Sequence, residues 1–160
     1  MTLTIRKILI RLILNDLLAS FLLDCWDNDC QADDFIKIAR CSTPPSQDQL
    51  FSAIDGTIRP ALNTSLCFTT MGYADALDTD GRTISTPIQL QPCLENTWNQ
   101  PVMNQTFLSK PRVGDGFDLI PMNNNRRCLA QLHHPKSGEK VFPRSCIEAR
   151  IDTTGSWVTY

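Results

Sequence analysis

No excess of charge of either sign marks this chain: 15 Lys and Arg face 17 Asp and Glu across 160 residues, a formal net charge of -2. The basic side chains are scattered rather than gathered in a stripe, so nothing makes an electrostatic case for a nucleic-acid partner. Arg126-Arg127, the adjacent basic pair downstream of the N-terminus, reads as a solvated turn. Histidine is nearly absent. His133-His134 lie beside Pro135 in a polar stretch, where adjacent side chains point apart, and a surface loop is the reading. The short Cys-x-x-Cys pairs of zinc sites are missing. So are a G-x-S-x-G elbow, a phosphate loop and an H-E-x-x-H helix, and no catalysis is expected. Asp78-Thr79-Asp80-Gly81 resembles part of a calcium loop, but its first and twelfth positions are Ala76 and Pro87, which are not ligands. Asp27-Asn28-Asp29 resembles a glycosyltransferase D-x-D without the α/β context, and Asp33-Asp34 read as a solvated loop. No cofactor or metal is called for.

A sustained helical stripe is also lacking outside the N-terminal run. With ten prolines and seven glycines, the chain punctuates itself often: Pro44-Pro45, Asp55-Gly56, Asp80-Gly81, Gly114-Asp115-Gly116 and Ser137-Gly138. Between these breaks, Ile36-Lys37-Ile38 and Ile88-Gln89-Leu90 alternate apolar and polar residues, the pattern of strands with one face inside. The length fits one small domain with a core of its own.

What the chain has is cysteine in register. Six of its seven cysteines form three pairs, Cys25 with Cys41, Cys67 with Cys93 and Cys128 with Cys146, each followed by an aromatic residue: Phe51, Phe107 and Trp157. The second cysteines are spaced by 52 and then 53 residues, which means one structural unit built three times. Regular cysteines favour an oxidising compartment, secreted or lumenal. Many short strands in three equal units point to an all-β threefold barrel rather than a two-sheet sandwich.

The N-terminus carries two readings. Ile8 to Leu23 is mostly apolar after Arg6-Lys7, like the start of a secretory signal, and Ala19-Ser20 offers small residues for cleavage. Arg11 and Asp16 interrupt the run, which leaves it too short and too costly to span a membrane. Against the signal, Thr57-Ile58-Arg59 and Phe117-Asp118-Leu119-Ile120 precede the first cysteines of units two and three as strands, so unit one needs a strand within Asp16 to Leu23. The segment is a signal or a first strand, and the sequence leaves both open. The domain then occupies 21–160, after a signal or first-strand region at 1–20, with units near 17–54, 55–113 and 114–160.

Cys-apolar, an apolar-x-apolar strand ending in Cys, then Gln-x-aromatic, resembles the repeat of ricin-type β-trefoil lectins from about Leu17 to the C-terminus. The last motif appears as Gln49-Leu50-Phe51 and Gln105-Thr106-Phe107, with Phe in place of the usual Trp, and as Gly155-Ser156-Trp157, which keeps the aromatic alone. The run Phe51 to Arg59, turning at Asp55-Gly56, is similar to the family's link between repeats. The resemblance implies a β-trefoil with disulfides Cys25–Cys41, Cys67–Cys93 and Cys128–Cys146, each closing about 15 to 25 residues and worth about 3 kcal/mol. It implies that the three aromatics meet in the core and that the motif Gln satisfies backbone groups of an irregular turn. Cys30 is left over, with three readings open: a free thiol, a competitor of Cys25 for Cys41, or a bond to another chain.

The resemblance also implies a sugar site in each competent repeat: an Asp after the first cysteine, a stacking aromatic two residues before the second, and an Asn before the motif Gln. Unit one offers Asp27, Asp48 and Gln49, but Ala39 where the ring should be. Unit two offers Gln89 and Asn104-Gln105, with Thr69 at the Asp position and Gln91 at the ring position. Unit three has Ala130, Arg144 and Thr154, and nothing of the polar set. The expected function is weak carbohydrate binding, confined to Asp27, Asp48, Gln49, Gln89, Asn104 and Gln105. The alternative is a trefoil whose loops bind a protein, as an inhibitor or accessory module. Asn63-Thr64-Ser65 and Asn104-Gln105-Thr106 fit the glycosylation pattern of a secreted chain, and a glycan on Asn104 would block the unit-two site.

Overall fold

The structure is a computed structural model, and it describes residues 7–8, 10–14, 17–27, 29–71, 76–77, 83–84, 86–95, 98, 102–112, 116–130, 137–151 and 157–159. His133-His134, Thr154 and Asp78-Thr79-Asp80-Gly81 lie outside the described residues, as does Asn28.

Unit one holds β1 (Lys7–Ile8), β2 (Ile10–Leu14), β3 (Leu17–Cys25), β4 (Ile36–Arg40) and β5 (Phe51–Ile54). Unit two follows with β6 (Thr57–Pro60), β7 (Leu66–Thr69), the short ladder β8 (Ala76–Leu77) and β9 (Thr83–Ile84), β10 (Gln89–Pro92) and β11 (Phe107–Pro111). Unit three has β12 (Phe117–Pro121), β13 (Arg127–Ala130), β14 (Phe142–Ser145), the helix α1 (Cys146–Ile151) and β15 (Trp157–Thr159). Within each unit the inner hairpin is antiparallel: β3 with β4, β7 with β10, β13 with β14. Between units, β5 pairs with β6 and β11 with β12. The third junction joins the chain ends, because β15 pairs with β2.

The N-terminal segment is therefore in the sheet. Leu17–Cys25 forms one continuous strand, and Ile10, Leu22 and Leu23 are buried. With β1 and β2 the first unit starts ahead of Leu17.

Strand register aligns the three units residue by residue. Phe51 lies opposite Pro60, Phe107 opposite Pro121 and Trp157 opposite Leu12, so Leu12, Pro60 and Pro121 are equivalent. Two residues earlier in each strand are Ile10, Ile58 and Leu119, all buried. The aromatic set Phe51, Phe107 and Trp157 is buried in the same core, with Phe68 edge-on to Phe51 at 5.1 Å and to Phe107 at 6.5 Å between ring centroids. Trp157 also satisfies its indole, donating Nε1–H to the Leu129 carbonyl at 2.9 Å. At the other end of the core the backbones of Ile36, Ile88 and Val141 bond in a closed cycle. Ile36 N–H donates to Ile88 at 3.0 Å, Ile88 to Val141 at 2.9 Å, and Val141 back to Ile36 at 2.9 Å. A ring of three equivalent donors and acceptors leaves no orphan groups where three units converge.

The turn at Asp55-Gly56 follows from its residues. Both take positive φ, 49° and 79°, as a two-residue hairpin requires. A side chain at Gly56 would strike Thr106 Cγ2 at 2.9 Å, and the Gly56 carbonyl accepts from Phe107 N–H at 2.8 Å. The turn of one repeat is thus stitched to the aromatic strand of the next.

One expected disulfide is corrected. Cys67–Cys93 and Cys128–Cys146 form, with Cα atoms 5.0 and 4.9 Å apart, but Cys25 bonds Cys30 and Cys41 is a free thiol. The ladder explains why. Cys67 lies opposite Gln91 and Cys128 opposite Arg144, each two residues short of the second cysteine. In unit one the residue two short of Cys41 is Ala39, and opposite it stands Leu22. Leu22 therefore holds the place of the first cysteine. Cys25 pairs with Ile36 at the far end of the same ladder, about 16 Å of strand from Cys41 and beyond disulfide reach.

Candidate functional site

With Leu22 equivalent to Cys67 and Cys128, the residue two further on is Asp24 in unit one, Thr69 in unit two and Ala130 in unit three. Asp24 thus occupies the position that counting from Cys25 gives to Asp27. Asp27 itself sits exposed on the turn after β3, inside the five-residue Cys25–Cys30 loop.

Antiparallel pairing sets Asp24 directly across from Lys37, and Leu22 across from Ala39. Alternation puts these four side chains on one face of the β3–β4 hairpin, since Leu23 and Ile38 point into the core. A short 3₁₀ turn, Gln47–Gln49, lies against that face and brings in Asp48 and Gln49, both buried. Gln49 uses its whole amide. Its Nε2 donates to the Arg40 carbonyl at 2.9 Å and to Asp24 Oδ2 at 3.3 Å, while its Oε1 accepts from Ser42 Oγ at 2.8 Å and Ser42 N–H at 3.2 Å.

Unit two repeats the arrangement with neutral partners. Gln105, buried in the turn Met103–Gln105, donates to the Pro92 carbonyl and to Thr69 Oγ1, both at 2.9 Å, and accepts from Leu94 N–H at 2.8 Å. In both units the motif glutamine fastens the turn to the strand pair. Asn104 is half-buried, and its carbonyl accepts from Thr70 N–H at 2.9 Å and Thr70 Oγ1 at 3.1 Å. Gln89 is half-buried in β10, bridged to Phe35, and Gln91 donates to Asp33 Oδ1 at 2.7 Å. In unit three, Arg144 is fully buried at the ring position and lies 3.9 Å from Glu148.

The electrostatics single out Asp24. It is 4% exposed, and its Oδ1 has no hydrogen-bond partner among the described residues. Burial pushes its pKa from the ordinary 3.8 up to about 6, and the Asp48 carboxyl beside it pushes the same way, while Gln49 and Lys37 pull it down. A carboxyl taken out of water beside a second acid favours its neutral form. Register reveals this acceptor, and the sequence alone concealed it because a misplaced cysteine shifts the count by three residues.

No protein family's sequence profile matches the chain, and neither does any curated protein. Solved structures do match. The C-half of an earthworm R-type lectin, determined with GalNAc, superposes with a TM-score of 0.65 at 13% identity, over 96% of both chains. The β-trefoil lectin of Vibrio vulnificus hemolysin/cytolysin, determined with N-acetyl-D-lactosamine, gives 0.60 at 14% identity, over 98% of this chain and 94% of that one. Abrus precatorius agglutinin gives 0.64 at 13% identity, over 97% of this chain and 46% of its own. At such identities the likeness is one of fold. The chain is a β-trefoil whose structural neighbours are ricin-type and other trefoil lectins.

Proposed function

We propose that this protein binds carbohydrate, and that unit one, around Asp24 and Asp48, is where it does so. One observation carries the reading: Asp24 Oδ1 is a buried acceptor with no donor among the described residues. Such an atom costs free energy until something donates to it, and a sugar hydroxyl is a donor of the right kind. Asp24 stands two residues after Leu22, where the resemblance to ricin-type repeats implies a sugar-binding Asp. Asp27 is exposed on the turn, while Gln49 and Gln105 are occupied with backbone, so the proposal rests on Asp24 with Asp48 rather than on those three. Unit two keeps Gln89 and Asn104 but has no carboxylate at Thr69, and its contribution is the lesser one. With few hydrogen bonds, each worth about 0.5–1.5 kcal/mol net, the dissociation constant falls near the millimolar range, about -4 kcal/mol.

Titration of the whole chain with GalNAc and N-acetyl-D-lactosamine tests this. Saturable binding lost in Asp24→Ala supports the placement, and loss in Asp27→Ala instead would return the site to the turn. Three disulfides suit a secreted chain, and among the described residues no helix is long and apolar enough to cross a membrane.

A second reading, binding of a protein by the loops of unit two, has one observation in its favour. Trp98 is 81% exposed, and Leu94 and Met103 in the same unit are also exposed. Co-purification with a partner that survives free sugar would favour it.

A further inference from the structure

We propose that the barrel end marked by the Asp55-Gly56 turn binds a small uncharged amphiphile, whose alkyl chain enters a cavity of about 240 Å³ walled by residues of all three units. The sequence makes the room. One step along the strands from Phe51, Phe107 and Trp157, each junction pairs a shorter residue with a branched aliphatic one: Ala53 with Ile58, Ser109 with Leu119, Thr159 with Ile10. Alternation turns Ala53 and Ser109 to the same side as Phe51 and Phe107. A methyl and a hydroxymethyl thus stand where the neighbouring layer has two rings, and the space between them is left empty. Gly56, two residues before Ile58, adds no side chain where the equivalent place before Leu119 holds Phe117.

The walls define what fits. Ile10, Ile58, Phe107 and Leu119 are buried, whereas Ala53, Gly56 and Ser109 are exposed, so the cavity opens to water at the turn. Its lining is chiefly carbon, and no charged side chain stands among the described residues that form it. An ionised group would lose its water there without gaining a partner. An alkyl chain instead exchanges water for contact with Phe107 and the aliphatic walls. The Ser109 hydroxyl at the mouth suits an uncharged head group that stays in reach of water. Apolar cavities of about 150 Å³ hold one benzene ring, so this one has room for a chain of roughly eight carbons. Such a volume admits no more of a protein than one side chain, and the fit is to a small molecule. The cavity shares no residue with the face of Asp24 and Asp48, so the inference stands apart from sugar binding.

Chain labelled with ¹³C at its isoleucine δ1 methyls, titrated with 1-octanol, tests the cavity. The Ile10 and Ile58 resonances are assigned by their disappearance in Ile10→Val and Ile58→Val. Both should shift saturably, while Ile147, exposed on α1, stays still. With four fewer carbons, 1-butanol should bind at least about tenfold more weakly. Ala53→Leu, folded by its spectrum, should weaken octanol binding at least about tenfold by filling the space. Ser109→Leu provides the same obstruction from β11 if the first variant fails to fold. Asp24→Ala should bind octanol as the parent does. No saturable shift at Ile58 up to the solubility of octanol, or unchanged affinity in a folded Ala53→Leu, overturns the proposal. Shifts that follow protein concentration rather than octanol would assign this face to a second copy and overturn it as well. So would contacts from the Ile58 methyl to residues 1–6 without a response to octanol, because the chain would then fill its own cavity.

Discussion

Gln49 donates its side-chain amide to Asp24 at 3.3 Å, as Gln105 donates to Thr69 at 2.9 Å. One fastening thus recurs in two units, and only in unit one does it touch a carboxylate. The difference has an energetic consequence. A hydroxyl can be satisfied by its own rotation, as Thr69 Oγ1 is by donating to the Cys67 carbonyl at 3.0 Å. A buried carboxylate cannot, and Asp24 is left with an idle oxygen beside a second acid.

Stability should therefore fall as pH rises. Asp24 titrates at about 6 in the folded chain against an ordinary 3.8, so between those values the folded state holds the extra proton. Its stabilising contribution is complete below about pH 4 and is lost as pH passes through 6. Asp24→Asn keeps the shape without the charge. At pH 7.5 it should raise stability by about 1–2 kcal/mol and flatten the slope between pH 4 and 6, read from denaturant midpoints. An unchanged slope would show that Asp24 is solvated.

Sugar binding should run the opposite way. Ionised Asp24 accepts more strongly from a hydroxyl than the protonated acid does, so affinity for N-acetyl-D-lactosamine should rise as pH climbs through about 6. The change should be missing in Asp24→Asn, whose binding is weak at every pH. Titrations at pH 5 and 7.5 are sufficient to read it.

Much of the fold was legible because it is repeated. The spacing of Cys41, Cys93 and Cys146 marks equivalent positions in all three units, and Phe51, Phe107 and Trp157 occupy one core. Asp55-Gly56 encodes its turn by local chemistry alone. The slip came at Cys25. A cysteine near the expected place stood in for the first half-cystine, and the true equivalent, Leu22, has no thiol to betray it. Counting from Cys25 leads to Asp27, whereas the register puts Asp24 two residues after Leu22, equivalent to Thr69 and Ala130. Side-chain identity could not correct this, because the offset is fixed by strand pairing between Leu22 and Ala39, a contact across 17 residues.

That register gives an engineering prediction. Leu22→Cys should let the new thiol bond Cys41, restoring in unit one the bridge of the other two units. Peptide mapping without reduction should find that bond, with Cys25–Cys30 retained and no free thiol left. In the parent, one thiol per chain, at Cys41, should react with maleimide after unfolding. A Cys25–Cys41 peptide from the parent would refute the register.

The aromatic core should be costly to breach. Trp157 is fully buried and its indole N–H is satisfied, so Trp157→Ala leaves both a cavity and an orphaned Leu129 carbonyl. The expected loss is about 3–5 kcal/mol by chemical denaturation. A loss under about 1 kcal/mol would mean that β15 frays and contributes little to the core.

The N-terminal strands offer the sharpest test of the architecture. If a signal peptidase acted near Ala19-Ser20, the mature chain would start at about Phe21 and lack β1, β2 and the first part of β3. It would lose Ile10 from the core, and β15 would lose the three-residue pairing with β2 that joins the last unit to the first. β4 would be left with a partner shortened to five residues, from Phe21 to Cys25. Unpaired strand edges of this length invite association with other chains. A chain starting at Phe21 should accordingly be unstable or aggregated, while one starting at Lys7 should fold with a cooperative transition. Mass spectrometry of the natural protein completes the test: retention of Ile10 fits the trefoil described here, and a soluble, folded product beginning at Phe21 would require another segment to fill the place of β2.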